Sequence, residues 1–348
     1  MKRKMAVGAP LVEPYFTKIK EQFDVVPFSQ LVTPGHWLGE AETREICRGC
    51  EVVILEAEPV TRETLLDWKE HGLQLLICTR GNPANVDTAA CRELGIPLTF
   101  TPGRNAQSVA EYTIALMLML SKHLQRSVKA LWDGSLTEAP VEDILQVPDV
   151  KDVAWMNDRV NAYSTIPLGS ELYGKTLSLI GFGAIGRRVA KIALAFDMRV
   201  LAYDPYCTPE QVAAVGAEYA DLEQALSEAD FVSVHLPVNP STVGMVNGDW
   251  FARMKDSVKF INTARAIVVD QAAMIDALQS GKVAGAAVDV MWQEPCPANH
   301  PFLQMEQVIV SPHQAGATVD IDTWQSRMVW EDLTCWMEGK PLAHPWFR

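Results

Sequence analysis

Short apolar, β-branched runs alternate with amphipathic stretches along most of the chain. In the first third the runs fall at 5–9, 52–56, 73–79 and 97–100, separated by stretches of helical periodicity such as 61–71. That alternation predicts a parallel α/β sheet. It resumes at 176–180 and continues through 199–203, 231–235, 258–262, 283–289 and 308–310, predicting a second, larger sheet. Between the two, residues 106–131 are dense in Ala, Leu and Met and lack Gly and Pro. Their apolar positions are too continuous for a surface helix, so they predict a buried helix joining two domains. Residues 132–170 then lose the regularity: they carry Pro140, Pro148 and Pro167, and seven acids (Asp133, Glu138, Glu142, Asp143, Asp149, Asp152, Asp158) against Lys151 and Arg159. Irregular stretches of this length are usually functional or disordered. A last helix is expected over 318–338, stopped by Gly339 and then Pro341.

The length of 348 residues agrees with two domains, and 48% hydrophobic with 21% charged residues is the composition of an ordinary folded chain. The 30 basic against 43 acidic side chains leave a net charge of −13, the wrong sign for binding along a nucleic acid. No apolar stretch approaches the ~20 residues of a membrane span, so no membrane partner is expected. The basic start Met1-Lys2-Arg3-Lys4 is followed by Pro10 and Glu13-Pro14 with no small-residue cleavage site, so a first strand rather than a leader is expected there. Seven scattered cysteines, an odd count, fit a reducing compartment, with the cytoplasm the expectation. Cys47 and Cys50 form the one close pair, and no second pair or His cluster stands by to complete a metal site.

The chemistry is concentrated in the second sheet. Gly181-Phe-Gly183-Ala-Ile-Gly186 follows the apolar strand 176–180 and opens a helix expected to run to about residue 196. In that context the three glycines serve a tight turn, a close backbone approach to a pyrophosphate, and close helix packing, with the helix N-terminus facing the anion. Asp204 ends the next strand, 23 residues after Gly181, near the offset of the acid that holds an adenine-ribose diol. This predicts NAD rather than NADP, since a 2′-phosphate would meet a carboxylate, and residues 205–209 offer no Arg or Lys to offset it.

Three polar residues sit at the ends of later strands, where open α/β sheets place their ligand crevice: Arg265, Glu294 and His313. Arg265 follows the small pair Thr263-Ala264, and its fork suits a carboxylate. His313, in Ser-Pro-His-Gln-Ala-Gly316, is the proton carrier that works near neutral pH. Glu294 is placed to pair with it and fix its tautomer.

In order, the fingerprint Gly181 to Gly186, Asp204, His235-Leu-Pro237, Asn262-Thr-Ala-Arg265, Asp289 to Glu294-Pro295 and Ser311-Pro-His313-Gln-Ala-Gly316 resemble the D-isomer-specific 2-hydroxyacid dehydrogenases, a phosphoglycerate dehydrogenase-like family. Asn85-Val-Asp87, Gly95-Ile-Pro97 and Ser108-Val-Ala-Glu111 agree with it too. The resemblance implies a two-domain α/β protein: a flavodoxin-like substrate domain (1–105 plus 318–348) into which a Rossmann-type NAD-binding domain (106–317, with 132–170 as an extended insertion) is inserted, and an active site in the cleft between them. It implies that Arg265 binds the substrate carboxylate and polarises the 2-oxo group, that His313 is the acid/base, and that Glu294 orients it. It further implies that Ala184, Ile185, Asp204, His235, Pro237, Thr242, Thr263, Ala264, Asp289 and Gly316 touch the cofactor together with the glycines. The loop Arg80-Gly81-Asn82 corresponds to the family's carboxylate loop and is expected to bind substrate with Arg265 and with Arg104, a further cation beside the hinge; Arg80 and Arg104 together would also supply the charge for a phosphorylated acid.

The chain departs from the family pattern at Ala266, where a Gly usually follows the Arg, at Asn82-Pro83, and in the longer 132–170 segment, near whose end Trp155, Asn157, Asn161 and Tyr163 are candidates for a pocket or an oligomer arm. The expected activity is NAD-dependent interconversion of a D-2-hydroxy acid and its 2-oxo acid, on a sugar acid or hydroxypyruvate-like substrate, by a homodimer. The competing reading is an NAD(H)-sensing corepressor-type protein on the same fold, which retention of Arg265, Glu294 and His313 together disfavours.

Overall fold

The computed structural model describes residues 2–140, 142, 155 and 160–347. The chain divides into two compact units, one formed by residues up to Asn105 with those from Ala317 onward, the other by Ala106–Gly316. The first unit holds a parallel sheet of β1 (Arg3–Val7), β2 (Phe23–Pro27), β3 (Val52–Leu55), β4 (Leu75–Cys78) and β5 (Leu98–Phe100). Its strand order is β2-β1-β3-β4-β5. Alternate residues of each strand serve opposite faces. Met5, Val52, Ile54, Leu75 and Ile77 pack beneath the helices Tyr15–Gln22 and Ile321–Met337, while Ala6, Val53, Leu55, Leu76 and Leu98 form the core of the other face. Burial on both faces is why β3 and β4 read as unbroken apolar runs.

The second unit holds β6 (Thr176–Ile180), β7 (Arg199–Tyr203), β8 (Glu218–Tyr219), β9 (Phe231–Val234), β10 (Val258–Asn262), β11 (Val283–Val288) and β12 (Val308–Val310). They are all parallel, in the order β12-β11-β10-β9-β6-β7-β8. This is the doubly wound arrangement of a Rossmann-type domain, with its order reversing between β9 and β6.

Two strands lie outside the expected set. The edge strand β2 is half exposed and ends in Pro27, which an edge tolerates because one side of its backbone has no ladder partner. The other, β8, is only two residues long and exposed. The buried helix expected over 106–131 is in fact two helices, Ala106–Lys122 and Leu124–Trp132, broken by His123 in the left-handed region at φ +52°. The chain returning from the irregular segment crosses at this break. Ser170 N donates to Ser121 O at 2.8 Å, and a side chain on Gly169 would come within 2.7 Å of that same oxygen. Ala110, Ile114, Met117 and Leu120 of the first helix pack with Leu177, Leu179, Ile261 and Ala287 in the second unit's core.

Candidate active site

Gly181 directly follows β6, at φ +99°, and a Cβ there would lie 2.7 Å from His235 O, across the point where strand order reverses. A Cβ on Gly186 would collide with Gly181 O. Gly183 differs from both: no atom lies within 4 Å of its would-be Cβ, so the space over the N-terminus of the helix Ala184–Leu194 is open to a ligand. The free N–H groups there suit a pyrophosphate. Asp204 braces this loop from β7. Its Oδ2 accepts from Phe182 N at 2.8 Å and its Oδ1 from Tyr206 N at 2.9 Å. A cation that local sequence did not offer comes from the helix: Arg187 reaches Cys207 Sγ at 3.4 Å and Gln211 O at 3.1 Å, beside the Asp204 turn. Its signal was its place one residue after the third glycine, on the helix that packs over β7.

Arg265 leaves β10 on a loop clamped by Asn262, whose Oδ1 accepts from Ala264 N at 2.9 Å and whose Nδ2 donates to Arg265 O at 3.0 Å. Among the described residues the exposed guanidinium donates to its neighbour Ala264 O, at 2.7 Å, leaving the rest of its fork available. His313 follows β12 with φ +57°, and its Nδ1 meets Glu294 Oε2 at 2.8 Å. Glu294 Oε1 accepts from Met291 N at 3.0 Å. Burial alone would raise the Glu294 carboxyl, but the His313 hydrogen bond, the Met291 N–H and the charges of His313 and Arg265 together hold it below the usual carboxylate value. The second ring nitrogen of His313 is thereby turned outward, on an exposed residue.

Asp289, expected against the cofactor, is 1% exposed and directs its carboxylate to this chain's own loop. Ser311 Oγ at 2.6 Å and Gln314 N at 2.8 Å donate to Oδ1, and Ala315 N at 2.8 Å donates to Oδ2. It is a positioning residue for the loop that carries His313. Ala315 O in turn accepts from Ser108 Oγ at 2.8 Å, just before Gly316. The Thr242 hydroxyl is likewise committed locally, donating to Pro237 O at 2.7 Å and closing the turn after His235-Leu-Pro237. Thr263 Oγ1 pairs with Thr113 Oγ1 at 3.0 Å. The His235 ring bonds Ser233 Oγ at 3.0 Å through Nε2, while its buried Nδ1 has no partner among the described residues, and burial pushes its pKa down to about 4.

In the first unit, Arg80, Gly81 and Asn82 form an exposed loop after β4. Arg104, expected as a further substrate cation, is partnered within the first unit: its guanidinium is bound by Glu56 Oε1 at 2.9 Å and by Gln325 Oε1. Of the residues near the end of the irregular segment, Trp155 and Tyr163 are exposed and Asn161 caps the helix Ala162–Thr165, while Asn157 lies outside the described residues. Cys47 and Cys50 are buried free thiols, both pushed up first by burial, and no cluster of metal-ligating side chains occurs among the described residues. No helix among them is long and apolar enough to cross a membrane.

Residues 148–315 match the model of the D-isomer specific 2-hydroxyacid dehydrogenase family, NAD binding domain. A Bacillus subtilis protein named "Putative 2-hydroxyacid dehydrogenase YoaD" is 33% identical over 339 residues, covering 97% of this chain and 91% of that one. A hydroxypyruvate reductase of Thermotoga maritima is 36% identical over 275 residues, 78% of this chain and 80% of its own length. Among solved structures, the TT0316 protein of Thermus thermophilus superposes with a TM-score of 0.74 at 29% identity, over 99% of both chains. With a Rossmann-type nucleotide domain, a second parallel-sheet domain, and a charged trio past the strand ends, the protein is of the nicotinamide-dependent oxidoreductase class. More particularly, the chain belongs to the D-isomer specific 2-hydroxyacid dehydrogenase family, whose members transfer hydride between NAD(H) and a 2-hydroxy or 2-oxo acid.

Proposed function

We propose that this protein is an NADH-dependent reductase of small 2-oxo acids, giving the D-2-hydroxy acid, with hydroxypyruvate-like or sugar-acid substrates as the favoured type. The observation that carries it is the His313 Nδ1 to Glu294 Oε2 contact at 2.8 Å, held on the same unit as the open glycine cradle and the free Arg265 fork. The cradle fits the dinucleotide: a Cβ is excluded at Gly181 and Gly186 by the chain itself, and the space over Gly183 is clear. Gly181, Gly183 and Gly186, with the N–H groups of Ala184 and Ile185, would hold the pyrophosphate; Asp204 would hold the adenine-ribose diol. Pro237, Thr263, Ala264 and Gly316 would border the nicotinamide end. When bound, the dinucleotide supplies a hydride.

Negative charge grows on the carbonyl oxygen as it is reduced, so a cation and a proton donor are both needed there. Arg265 anchors the substrate carboxylate through its planar fork and draws charge onto the 2-oxo oxygen. With Nδ1 committed to Glu294, His313 presents Nε2, which donates the proton in reduction and accepts it in oxidation. Glu294 stabilises the imidazolium and fixes the tautomer. The Thermotoga relative's name as a hydroxypyruvate reductase supports the substrate type.

A homodimer is proposed from the helix Leu124–Trp132, whose Leu124, Val128, Leu131 and Trp132 are all exposed and fall on one face. A reducing, cytoplasmic setting is supported by the seven free thiols.

The test is NADH and NADPH oxidation with glyoxylate, pyruvate, hydroxypyruvate and 2-oxo sugar acids, alongside His313→Ala and Arg265→Ala. NADH-specific turnover is expected, lost in the first variant with dinucleotide affinity kept, and lost with a raised KM in the second. Tight NADH binding without turnover on any acid would refute the enzyme and favour a dinucleotide sensor.

A further inference from the structure

We propose that Trp292, backed by His300, is a positioning residue for Glu294: together they clamp both ends of the loop that carries Glu294 to the segment that runs on from Arg265. The inference rests on the reductase reading above.

The charged trio comes from three different strand ends of the second unit, so its geometry depends on what ties those ends together. Arg265 follows β10, Glu294 follows β11 and His313 follows β12. The last two loops are joined by the Asp289 carboxylate, which accepts from Ser311 Oγ, Gln314 N and Ala315 N. Between the first two, the strand ladder runs as far as Asp289 N, which donates to Asn262 O at 3.0 Å. Past that point side chains take over. Trp292 Nε1 donates to Val269 O at 3.0 Å, on the stretch that continues from Arg265. His300 Nε2 meets the Gln271 amide at 3.0 Å. Glu294 therefore lies between the two anchors of its own loop, and the residues gripped, Val269 and Gln271, flank Asp270.

The clamp is stiff for identifiable reasons. The indole and imidazole rings lie 8° from parallel with centroids 6.3 Å apart, and the Phe302 ring meets both edge-on. Phe302 N donates to His300 Nδ1 at 3.2 Å, which leaves the proton of the neutral ring on Nε2, facing Gln271. Burial lowers the His300 pKa and so keeps that ring neutral. Val269 is 2% exposed, so water cannot readily replace the indole at its carbonyl. Met291 N, next in the chain to Trp292, donates to Glu294 Oε1 at 3.0 Å, while Glu294 Oε2 holds His313 Nδ1 at 2.8 Å. A shift of Trp292 is thereby passed to the carboxylate and on to the imidazole.

A double-mutant cycle on the intact protein tests this, with Trp292→Phe, Glu294→Gln and the two combined. Initial rates are read with hydroxypyruvate, or with whichever 2-oxo acid of the panel above is reduced fastest, and NADH is titrated by its own fluorescence. Trp292→Phe keeps a ring beside His300 and removes the indole N–H. Loss of one ordinary hydrogen bond should lower kcat about fivefold. KM for the acid and the NADH dissociation constant should each stay within about twofold, because Asn262 still clamps the Arg265 loop and the glycine cradle is untouched. In the Glu294→Gln background the same change should cost less than about twofold, since a residue that acts through Glu294 has nothing left to position. A tether that only holds the fold together would cost the same in both. If Trp292→Phe fails to fold, His300→Phe, which keeps a ring beside the indole and drops the Gln271 bond, should show the same dependence on Glu294. Equal losses in the two backgrounds, a fall in NADH affinity matching the fall in kcat, or no loss at all overturns the proposal while leaving the reductase reading intact. No turnover of any 2-oxo acid by the wild type overturns both.

Discussion

Asp289→Ala is the perturbation that most directly tests how the loop carrying His313 is built. The buried carboxylate accepts from Ser311 Oγ at 2.6 Å, Gln314 N at 2.8 Å and Ala315 N at 2.8 Å, so its loss strands three donors. They are not equally costly. The Ser311 hydroxyl can rotate to another acceptor and Gln314 is exposed enough to reach water, whereas Ala315 is 2% exposed and its N–H has nowhere to turn. Hydrogen bonds to a charged group contribute roughly 1.5–3 kcal/mol each, and an unsatisfied buried donor costs about 1–3 kcal/mol, so a loss of about 3 kcal/mol is expected overall. For a unit the size of Ala106–Gly316 this lowers the melting temperature by roughly 6–12 °C. Because His313 sits at φ +57° only two residues from Ser311 and two from Ala315, turnover should fall further than stability predicts, while NADH affinity, set at Gly181 to Gly186, changes little. Asp289→Asn keeps one acceptor oxygen and should recover about half of the stability loss. The assays are thermal unfolding monitored by circular dichroism, NADH titration by fluorescence, and initial rates of 2-oxo acid reduction. A Tm within about 2 °C of wild type, or a loss of NADH affinity as large as the loss of turnover, would show that Asp289 does not act by holding this loop.

The glycines separate packing from ligand approach. Gly181→Ala and Gly186→Ala, whose new Cβ atoms meet His235 O and Gly181 O, should destabilise the second unit in unfolding experiments. Gly183→Ala, with no atom within 4 Å, should leave Tm unchanged and weaken NADH binding; a wild-type dissociation constant there would contradict the cradle. Glu294→Gln removes the partner of the imidazolium, and with both side chains about two-fifths exposed the Coulombic part is screened, so a fall of about tenfold in kcat/KM for reduction is expected; an unchanged pH–rate profile would argue against the pair. The C-terminal segment carries a pH dependence of its own. A hydrogen bond donated to Asp332, then Coulombic attraction to Asp332 and Glu331, outweighs burial and the repulsion of Arg327 and raises the His344 pKa above its ordinary value. Its stabilising contribution is therefore complete below about pH 6.5 and is lost as pH rises through the raised value. Phe100 N donates to His344 O and Trp346 N to Leu98 O, so hydrogen-exchange protection of those two amides should drop over that window. Asp332→Ala should remove the dependence, and equal protection at pH 6 and 8 would refute it.

What could be read from the chain and what could not divide along physical lines. Strands buried on both faces, such as β3, β4 and β6, declare themselves as unbroken apolar runs, and the fingerprint glycines stand where the backbone permits little else: Gly181 at positive φ against His235 O, Gly186 against Gly181 O. β2 and β8 lack that signature because an edge strand has one solvated side and its apolar positions need not repeat. The break at His123 was hidden for a different reason. Nothing local stops a helix at Ser121-Lys122-His123; the stop comes from Gly169 and Ser170, nearly fifty residues on, crossing against Ser121 O. The same distinction governs the charged residues. Residue type and position past a strand end suffice to nominate Arg265, Glu294 and His313, but whether a cation is free is a question about its neighbours. Among the described residues Arg265 bonds its own loop carbonyl, whereas Arg104 has Glu56, 48 positions away, and Gln325, 221 away. A guanidinium's availability is thus a tertiary property. That is why two arginines of similar appearance in the sequence carry opposite expectations here, one as the substrate's anchor and the other as the counter-charge that a carboxylate has already claimed.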